Sequence, residues 1–317
     1  MTRSGPPTVG IDLGGTNVRA AVVDGKGQVE VEERAPTPAD WPALLATIVE
    51  LFDRLAGARP GVGAVGVGAA GMVDRHGTVH YAPNIPKLIR VPLQALLTEQ
   101  LDVPVAVDND ANVAALGELR YGAAQGVRHG LVITLGTGVG GGIIHDGRIA
   151  RGAHGFAAEV GHWQFDPQGP ACACGEPGHW EAQASGGGLG ALARARAAAG
   201  EAPNVLSRAG GDPRAVTSVH VGESAAAGDA DGRSILEAYA RQVALGFAGL
   251  ANILDPELIV VSGGLVGLGD VLLKPLRDAF GAHLEGAPYR PEVPIVAAAL
   301  GDRAGVVGAA ALARELA

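Results

Sequence analysis

The sequence predicts an α/β protein built from two similar halves, and three observations carry that expectation. Short β-branched and apolar runs alternate with stretches of helical periodicity along the chain. A strand–glycine turn–strand unit occurs twice, at residues 8–24 and 130–146, and each time it opens a run of strands and helices. The length, 317 residues, is enough for two domains. Duplication of this kind predicts two halves facing each other across a cleft, with a glycine hairpin of each pointing into it.

Composition narrows the functional classes. Hydrophobic residues make up 47% of the chain, enough for a well-filled core, yet no apolar run reaches the length of a membrane span. The first residues, MTRSGPPTVGIDLGG, enter a strand pattern without the apolar stretch of a signal peptide. Two cysteines two positions apart make no disulfide framework, which fits a reducing cytoplasm. A net charge of −9 and a pI near 5.5 exclude the basic face that a nucleic-acid partner needs. Phosphate recognition must then rest on backbone amides and Mg²⁺ rather than on clustered cations. The 50 glycines supply such backbone in quantity.

In chain order, residues 8–13 (TVGIDL) read as a buried strand and 17–24 as the strand that returns. Between them Gly14-Gly15-Thr16 is either a plain hairpin turn or a loop whose unhindered amides meet an anion. Asp12, at the strand end, faces the same place and suits a hydrated Mg²⁺. Residues 28–34 complete a meander, and 39–55 carry the apolar spacing of a crossover helix (Trp41, Leu44, Leu45, Ile48, Leu51, Phe52, Leu55). A fully apolar strand at 62–69 runs into Gly71; short strands lead to Ala82-Pro83-Asn84, and 91–100 read as a short helix. The strand 104–107 stops at Asp108-Asn109-Asp110, before a helix at 111–121. Helix capping asks for one acidic residue there. Three polar residues crowded at the carboxyl end of a strand exceed that need, and such ends are where α/β proteins place ligands.

Residues 130–135 form the next strand, followed by Gly136-Thr137-Gly138-Val139-Gly140-Gly141-Gly142 and a strand at 142–146. Residues 136–141 match G-x-G-x-x-G, but the dinucleotide fingerprint needs a helix after its glycines. Strand-like sequence follows here instead, which argues against a nicotinamide site. Later come helices at 189–199, 229–253, 271–284 and 304–316, and strands at 258–262 and 293–297. The strand 258–262 ends at Gly263-Gly264, a turn that admits close approach by a flat ligand. Residues 200–214 read as an exposed polar loop.

Residues 159–187 hold both cysteines. Cys172 and Cys174 are separated by one residue, His179 follows a glycine-containing turn, His162 lies upstream, and Glu159 and Glu181 flank the set. Four N/S ligands can close a tetrahedral zinc site, although paired cysteines in such sites usually stand two to four residues apart. By themselves these residues fit zinc and a pair of reduced thiols equally well.

The motifs in their order resemble those of the ROK family of bacterial sugar kinases over essentially the whole chain. Asp12-Leu13-Gly14-Gly15-Thr16 is similar to its first phosphate motif, and Asn109-Asp110-Ala111-Asn112 to its catalytic motif. Gly136 to Gly142 resembles the second phosphate loop, and Gly263-Gly264 the adenosine-side turn. Glu159-Val160-Gly161-His162 and Cys172-x-Cys174-Gly-x-x-Gly-His179-x-Glu181 resemble its sugar-and-zinc signature. The resemblance implies an actin-like/hexokinase (ribonuclease H-like) ATPase fold with a cleft between a small and a large domain. The small domain would span 1–118, completed by about 303–317, and the large one 119–302, carrying the zinc loop.

It further implies ATP-dependent phosphorylation of a hexose, glucose foremost, at the 6-hydroxyl, by a cytoplasmic homodimer or homotetramer with no nucleic-acid or membrane partner. Asp110 would be the general base, and Gly71, Asn109, Glu159, His162 and Glu181 would bind the sugar. Asp12, Gly14, Gly15, Thr16, Thr137, Gly138, Gly263 and Gly264 would hold ATP with Mg²⁺. A structural Zn²⁺ would sit on His162, Cys172, Cys174 and His179. Two departures matter. His179 stands where the family commonly has a third cysteine, giving a Cys₂His₂ set that still suits zinc. The segment at 83–88 lacks the Gly-Trp pair that often follows its asparagine, which keeps N-acetylmannosamine, mannose, fructose and allose open as substrates. The sugar-sensing repressor branch carries an N-terminal helix-turn-helix, for which no room precedes the first phosphate motif. A silent binding protein is disfavoured by an intact Asp110.

Overall fold

A nearly continuous apolar run near the start of the chain builds the centre of its first sheet. In the computed structural model, which describes residues 6–85 and 87–316, β1 (Thr8–Leu13), β2 (Asn17–Val23) and β3 (Val29–Pro36) form an antiparallel meander. Residues 1–5, where the N-terminal reading begins, Pro86 of the sugar-side segment and Ala317 lie outside the described residues. β3 forms the edge of the sheet and alternates half-buried with exposed positions. The charges of Glu30, Glu32, Glu33 and Arg34 guard that edge against pairing.

α1 (Trp41–Ala58) starts where Asp40 accepts a hydrogen bond from the amide of Ala43, with Pro42 in the first turn. It buries Leu44, Leu45, Ile48, Leu51, Phe52 and Leu55 against the sheet. Six such side chains contribute about 9–18 kcal/mol of transfer free energy, an upper range because the unfolded chain already buries part of this surface. β4 (Val65–Ala69) lies parallel to β1. The two-stranded β5 (Met72–Val73) and β6 (Val79–Tyr81) follow, then α2 (Leu93–Leu101). β7 (Val105–Asn109) pairs parallel to β4 and delivers the chain directly into α3 (Asp110–Tyr121).

β8 (Gly130–Leu135), β9 (Val139–His145) and β10 (Arg148–Ile149) repeat the meander. The expected strand at 142–146 therefore begins earlier, at Val139. The amide of Gly136 bonds to the carbonyl of Gly138, so the glycine loop shrinks to a tight hairpin turn.

After a loop come α4 (Glu181–Ala184), α5 (Gly186–Ala198), α6 (Pro203–Arg208), α7 (Ser218–Ala226) and α8 (Ala230–Leu254). The chain closes with β11 (Leu258–Ser262), α9 (Asp270–His283), β12 (Ile295–Ala297) and α10 (Ala304–Arg314). The polar stretch 200–214, expected as loop, contains α6. α7 also lies where no helix was expected. α5 starts three residues before the expected 189, because Ser185 caps three glycines by accepting from the amide of Gly188.

Strand order is β3-β2-β1-β4-β7 in one sheet and β10-β9-β8-β11-β12 in the other, the same topology twice, as the sequence repeat predicted. The chain divides into two compact units. One comprises Met1–Val132, Gly142–Ala158 and Ala299–Ala317; the other comprises Ile133–Gly141 and Glu159–Ala298.

In the first unit, α10 lies on the sheet face opposite α1. A Cβ at Gly10 would stand 1.9 Å from the carbonyl oxygen of Val306, and one at Gly66 1.8 Å from that of Ala309. Only glycine permits that backbone contact. In the second unit, α8 buries Tyr239, Val243 and Phe247 along one stripe and receives the Trp180 indole against Gly246. Among the described residues no helix is long and apolar enough to cross a membrane.

Candidate functional site

In the first unit the predicted phosphate and catalytic residues converge. Gly14-Gly15-Thr16 forms the β1–β2 turn, closed by the Gly14 amide on the carbonyl of Asn17 at 3.1 Å. Thr37 pins the turn from β3's end, its hydroxyl donating to the carbonyl of Gly14 at 2.6 Å. Asn84 packs directly on Gly15, where a Cβ would meet it at 2.5 Å. The turn and Asp12 line a cavity of about 330 Å³ together with Arg19, Arg34 and Asp302. Sequence reasoning did not single out these two arginines. Both are held by carboxylates, Arg19 by Glu32 and Asp302 and Arg34 by Glu32, so the cavity is not simply cationic.

Burial pushes the Asp12 carboxyl up to about 6; the charge of Asp110 adds to the rise and Arg19 opposes it. Two carboxylates sharing so dry a site favour a cation between them.

Asp110 is the first residue of α3, placed there by the β7–α3 junction. Burial pushes its carboxyl above the ordinary range, against the Ala111 amide and the Asn109 side chain, which favour the ion. A carboxylate of raised proton affinity is what removal of a hydroxyl proton asks for. Asn109 caps the helix, its Oδ1 accepting from the amides of Ala111 and Asn112, while its Nδ2 donates to the carbonyl of Gly71 at 3.0 Å. Gly71 has φ +129°, and a Cβ there would stand 2.1 Å from the carbonyl oxygen of Tyr81. Asn109 therefore keeps one amide hydrogen for a ligand.

Asp108, read only as one of three crowded polar residues, is 6% exposed and bonded on both oxygens. Its partner Arg151 follows a short strand and carries no local pattern that would mark it.

In the second unit the metal set assembles. Ligand atoms of His162, Cys172, Cys174 and His179 all lie within 4.8 Å of one another. Cys174 Sγ and His162 Nδ1 stand 3.2 and 3.4 Å from His179 Nδ1. Those separations match the ligand–ligand spacing of a tetrahedral zinc with bonds of about 2.0–2.3 Å. The donor set, two thiols and two imidazoles, suits the same ion, so the residues fit it. Trp180, fully buried, anchors this loop by donating from Nε1 to the carbonyl of Gln242 on α8 at 3.2 Å.

Glu181, expected at the sugar, accepts from the amide of Val139 at 2.9 Å and from the thiol of Cys172 at 3.3 Å. It thus ties the cysteine loop to the β8–β9 turn, where Gly138 leaves space for it. Burial, with help from Glu181, pushes the Cys172 thiol up to about 11. Thr137 and Glu159 are exposed. Gly263, φ +90°, lies against the carbonyl of Leu135, while Gly264 faces open space.

Comparisons with known proteins point one way. The sequence profile of the ROK family matches residues 8–316. A glucokinase of Streptomyces coelicolor is 42% identical over 97% of this chain and 98% of its own. An N-acetylmannosamine kinase of Escherichia coli is 32% identical over 97% of this chain and 98% of its own. The crystal structure of a ROK family glucokinase from Streptomyces griseus, in complex with glucose and AMPPNP, matches with a TM-score of 0.86. It is 39% identical, and the match covers 98% of this chain and 99% of that one.

Proposed function

The chain belongs to the ROK family, and from that premise we propose that it transfers the γ-phosphoryl group of ATP to the 6-hydroxyl of glucose. The observation that carries the choice of sugar is the 42% identity to the glucokinase of Streptomyces coelicolor against 32% to the N-acetylmannosamine kinase of Escherichia coli, at equal coverage. The residues supply what the reaction requires, namely alignment, charge neutralisation and a base.

Asp110 takes the proton of the attacking hydroxyl as the oxygen–phosphorus bond forms and ADP leaves. Asn109 offers its remaining amide hydrogen to the sugar, beside the Gly71 carbonyl that orients it. Glu159, His162 and Glu181 pair with the other hydroxyls, an array that rejects analogues lacking one of them because the partner stays unpaired. The turn amides of Gly14–Thr16 and Thr137–Gly138 hold the phosphates, Asp12 holds the Mg²⁺ that travels with ATP, and Gly263–Gly264 border the adenosine. A zinc bound by His162, Cys172, Cys174 and His179 would supply a cross-link rather than chemistry. The reaction belongs to the ATP-bearing cytoplasm, and a homo-oligomer is the expected assembly.

The test is an assay that couples ADP formation to NADH oxidation, run with glucose, N-acetylmannosamine, mannose, fructose and allose. The expected result is a kcat/KM for glucose at least tenfold above each of the others. A higher value for N-acetylmannosamine would reassign the substrate, and no turnover with any sugar would end the reading.

A further inference from the structure

Two residues from the proposed base lies a half-buried ion pair that the reaction as described does not use. The Nε of Arg151 donates to Oδ2 of Asp108 at 2.6 Å. Oδ1 of Asp108 accepts from the amide of Asn109 at 2.7 Å and from Nδ2 of Asn112 at 3.1 Å. Asn109 and Asn112 flank Asp110 on either side, so Asp108 grips the chain before and after it. Arg151 is itself held in place. The segment that follows it is tied to the β5–β6 hairpin, where Arg75 donates to the carbonyl of Gly152, and Gly155 lies on the backbone of Val73 and Asp74.

Stability does not account for the arrangement. Neither exposed nor buried ion pairs are strong evidence of net stabilisation, and this half-buried one leaves unpaired atoms behind. Arg151 Nη2 and Asn112 Oδ1 are both buried without a hydrogen-bond partner. Such groups carry a desolvation cost that apolar packing would avoid. The pair does fix an orientation. Asp108 accepts three hydrogen bonds at once, and the cation of Arg151 balances its charge beside Asp12 and Asp110.

We propose that Asp108 and Arg151 are positioning residues for the Asn109–Asp110 turn, setting the rate of phosphoryl transfer without touching sugar or nucleotide. The proposal rests on Asp110 acting as the base, and the experiment separates the two ideas.

Arg151→Met keeps the stem and removes the cation. It is expected to lower kcat about 10- to 100-fold, the effect of a base displaced by a fraction of an ångström to an ångström. KM for glucose and for ATP should stay within about twofold, since an interaction serving only the transition state leaves ground-state binding alone. Arg151→Lys restores the charge but not the planar fork, and should recover part of the lost kcat. Asp108→Asn keeps an acceptor oxygen at the same size, should lower kcat about tenfold on the same argument, and carries the test if the methionine variant does not fold.

Melting temperatures are recorded for every variant, and rates are measured well below the lowest of them, so that a loss of folded protein cannot pass for a loss of turnover. A wild-type kcat in the folded variants overturns the positioning role. So does a raised KM for glucose at unchanged kcat, because the side chain would then be holding substrate. Asp110→Asn is assayed in parallel. If it turns over normally, the general-base reading itself falls. If it is inactive while Arg151→Met is fully active, only the positioning role falls.

Discussion

At the scale of single residues, the proposed base is held in a state that costs stability. Burial raises the proton affinity of Asp110, and its charge helps raise that of Asp12. For a carboxyl whose folded pKa exceeds its unfolded one, ionisation opposes folding. The cost is absent below the unfolded pKa and complete above the folded one. Asp110→Asn should therefore raise the melting temperature near pH 8, by about 2–4 °C for each kcal/mol relieved, and the gain should shrink as the pH falls and vanish below the unfolded value of 3.8. The same variant should lose about 10²- to 10⁴-fold in kcat. In the wild type, kcat should fall on the acid side at a pH above the ordinary carboxylate range. Thermal scans across that pH range check the first claim, and a variant less stable at pH 8 would contradict it. Asn109 and Asp110 were singled out because, with Asp108, they make three polar residues at a strand's end, more than capping needs; Asp12 was singled out because it ends the strand before Gly14-Gly15. Arg151 was not, because its partner lies 43 positions away and nothing around it breaks pattern.

At the scale of elements, legibility tracked how local the determining contact is. α1 carries its own cap and apolar stripe, and it was read to within a few residues. α6 is capped from a distance: Asp231, in the first turn of α8, accepts from the amides of Asn204 and Val205. No sequence window around residues 200–214 contains that carboxylate, so the segment looked like loop. The cysteine loop is the opposite case: the four candidate ligands stand close in sequence, and the structure brings their ligand atoms within 4.8 Å of one another. If it binds zinc, protein purified without chelator should carry a single zinc per chain. Stripping the metal should make residues 163–179 sensitive to protease and lower the melting temperature by about 5 °C. The helical signal of the protein should stay, because Trp180 and α8 pack independently of the ligands. Metal-free protein with unchanged protease resistance would mean that the two thiols are structural only.

At the scale of the molecule, the repeated sheet topology was readable from the two glycine hairpins, whereas the closing of the first unit by the end of the chain came from the family resemblance and from no local pattern. Its sheet is assembled from the beginning of the chain, and the helix that covers one face comes from the end. The hydroxyl of Thr8 donates to the carbonyl of Ala310, 302 residues away, and α10 also packs its Gly308 against the backbone of α3. The small residues of α10 (AGVVGAAALAR) and the glycines of β1 and β4 are complementary, yet each alone reads as an unremarkable glycine- and alanine-rich run. Contacts of such high sequence separation form late and must be complete before the unit is stable. A chain ending at residue 299 should therefore bare the sheet face that carries Gly10, Gly66, Ala21 and Val23, giving a first unit open to protease while the second unit stays protected. Gly66→Val in the full chain should act the same way in milder form. Its side chain collides with a helix backbone rather than with a movable side chain, and about 3 kcal/mol or more of destabilisation is expected. Limited proteolysis with mass mapping, beside urea unfolding of Gly66→Val, checks both. A first unit that resists protease without α10 would show that the helix decorates the sheet rather than completing it.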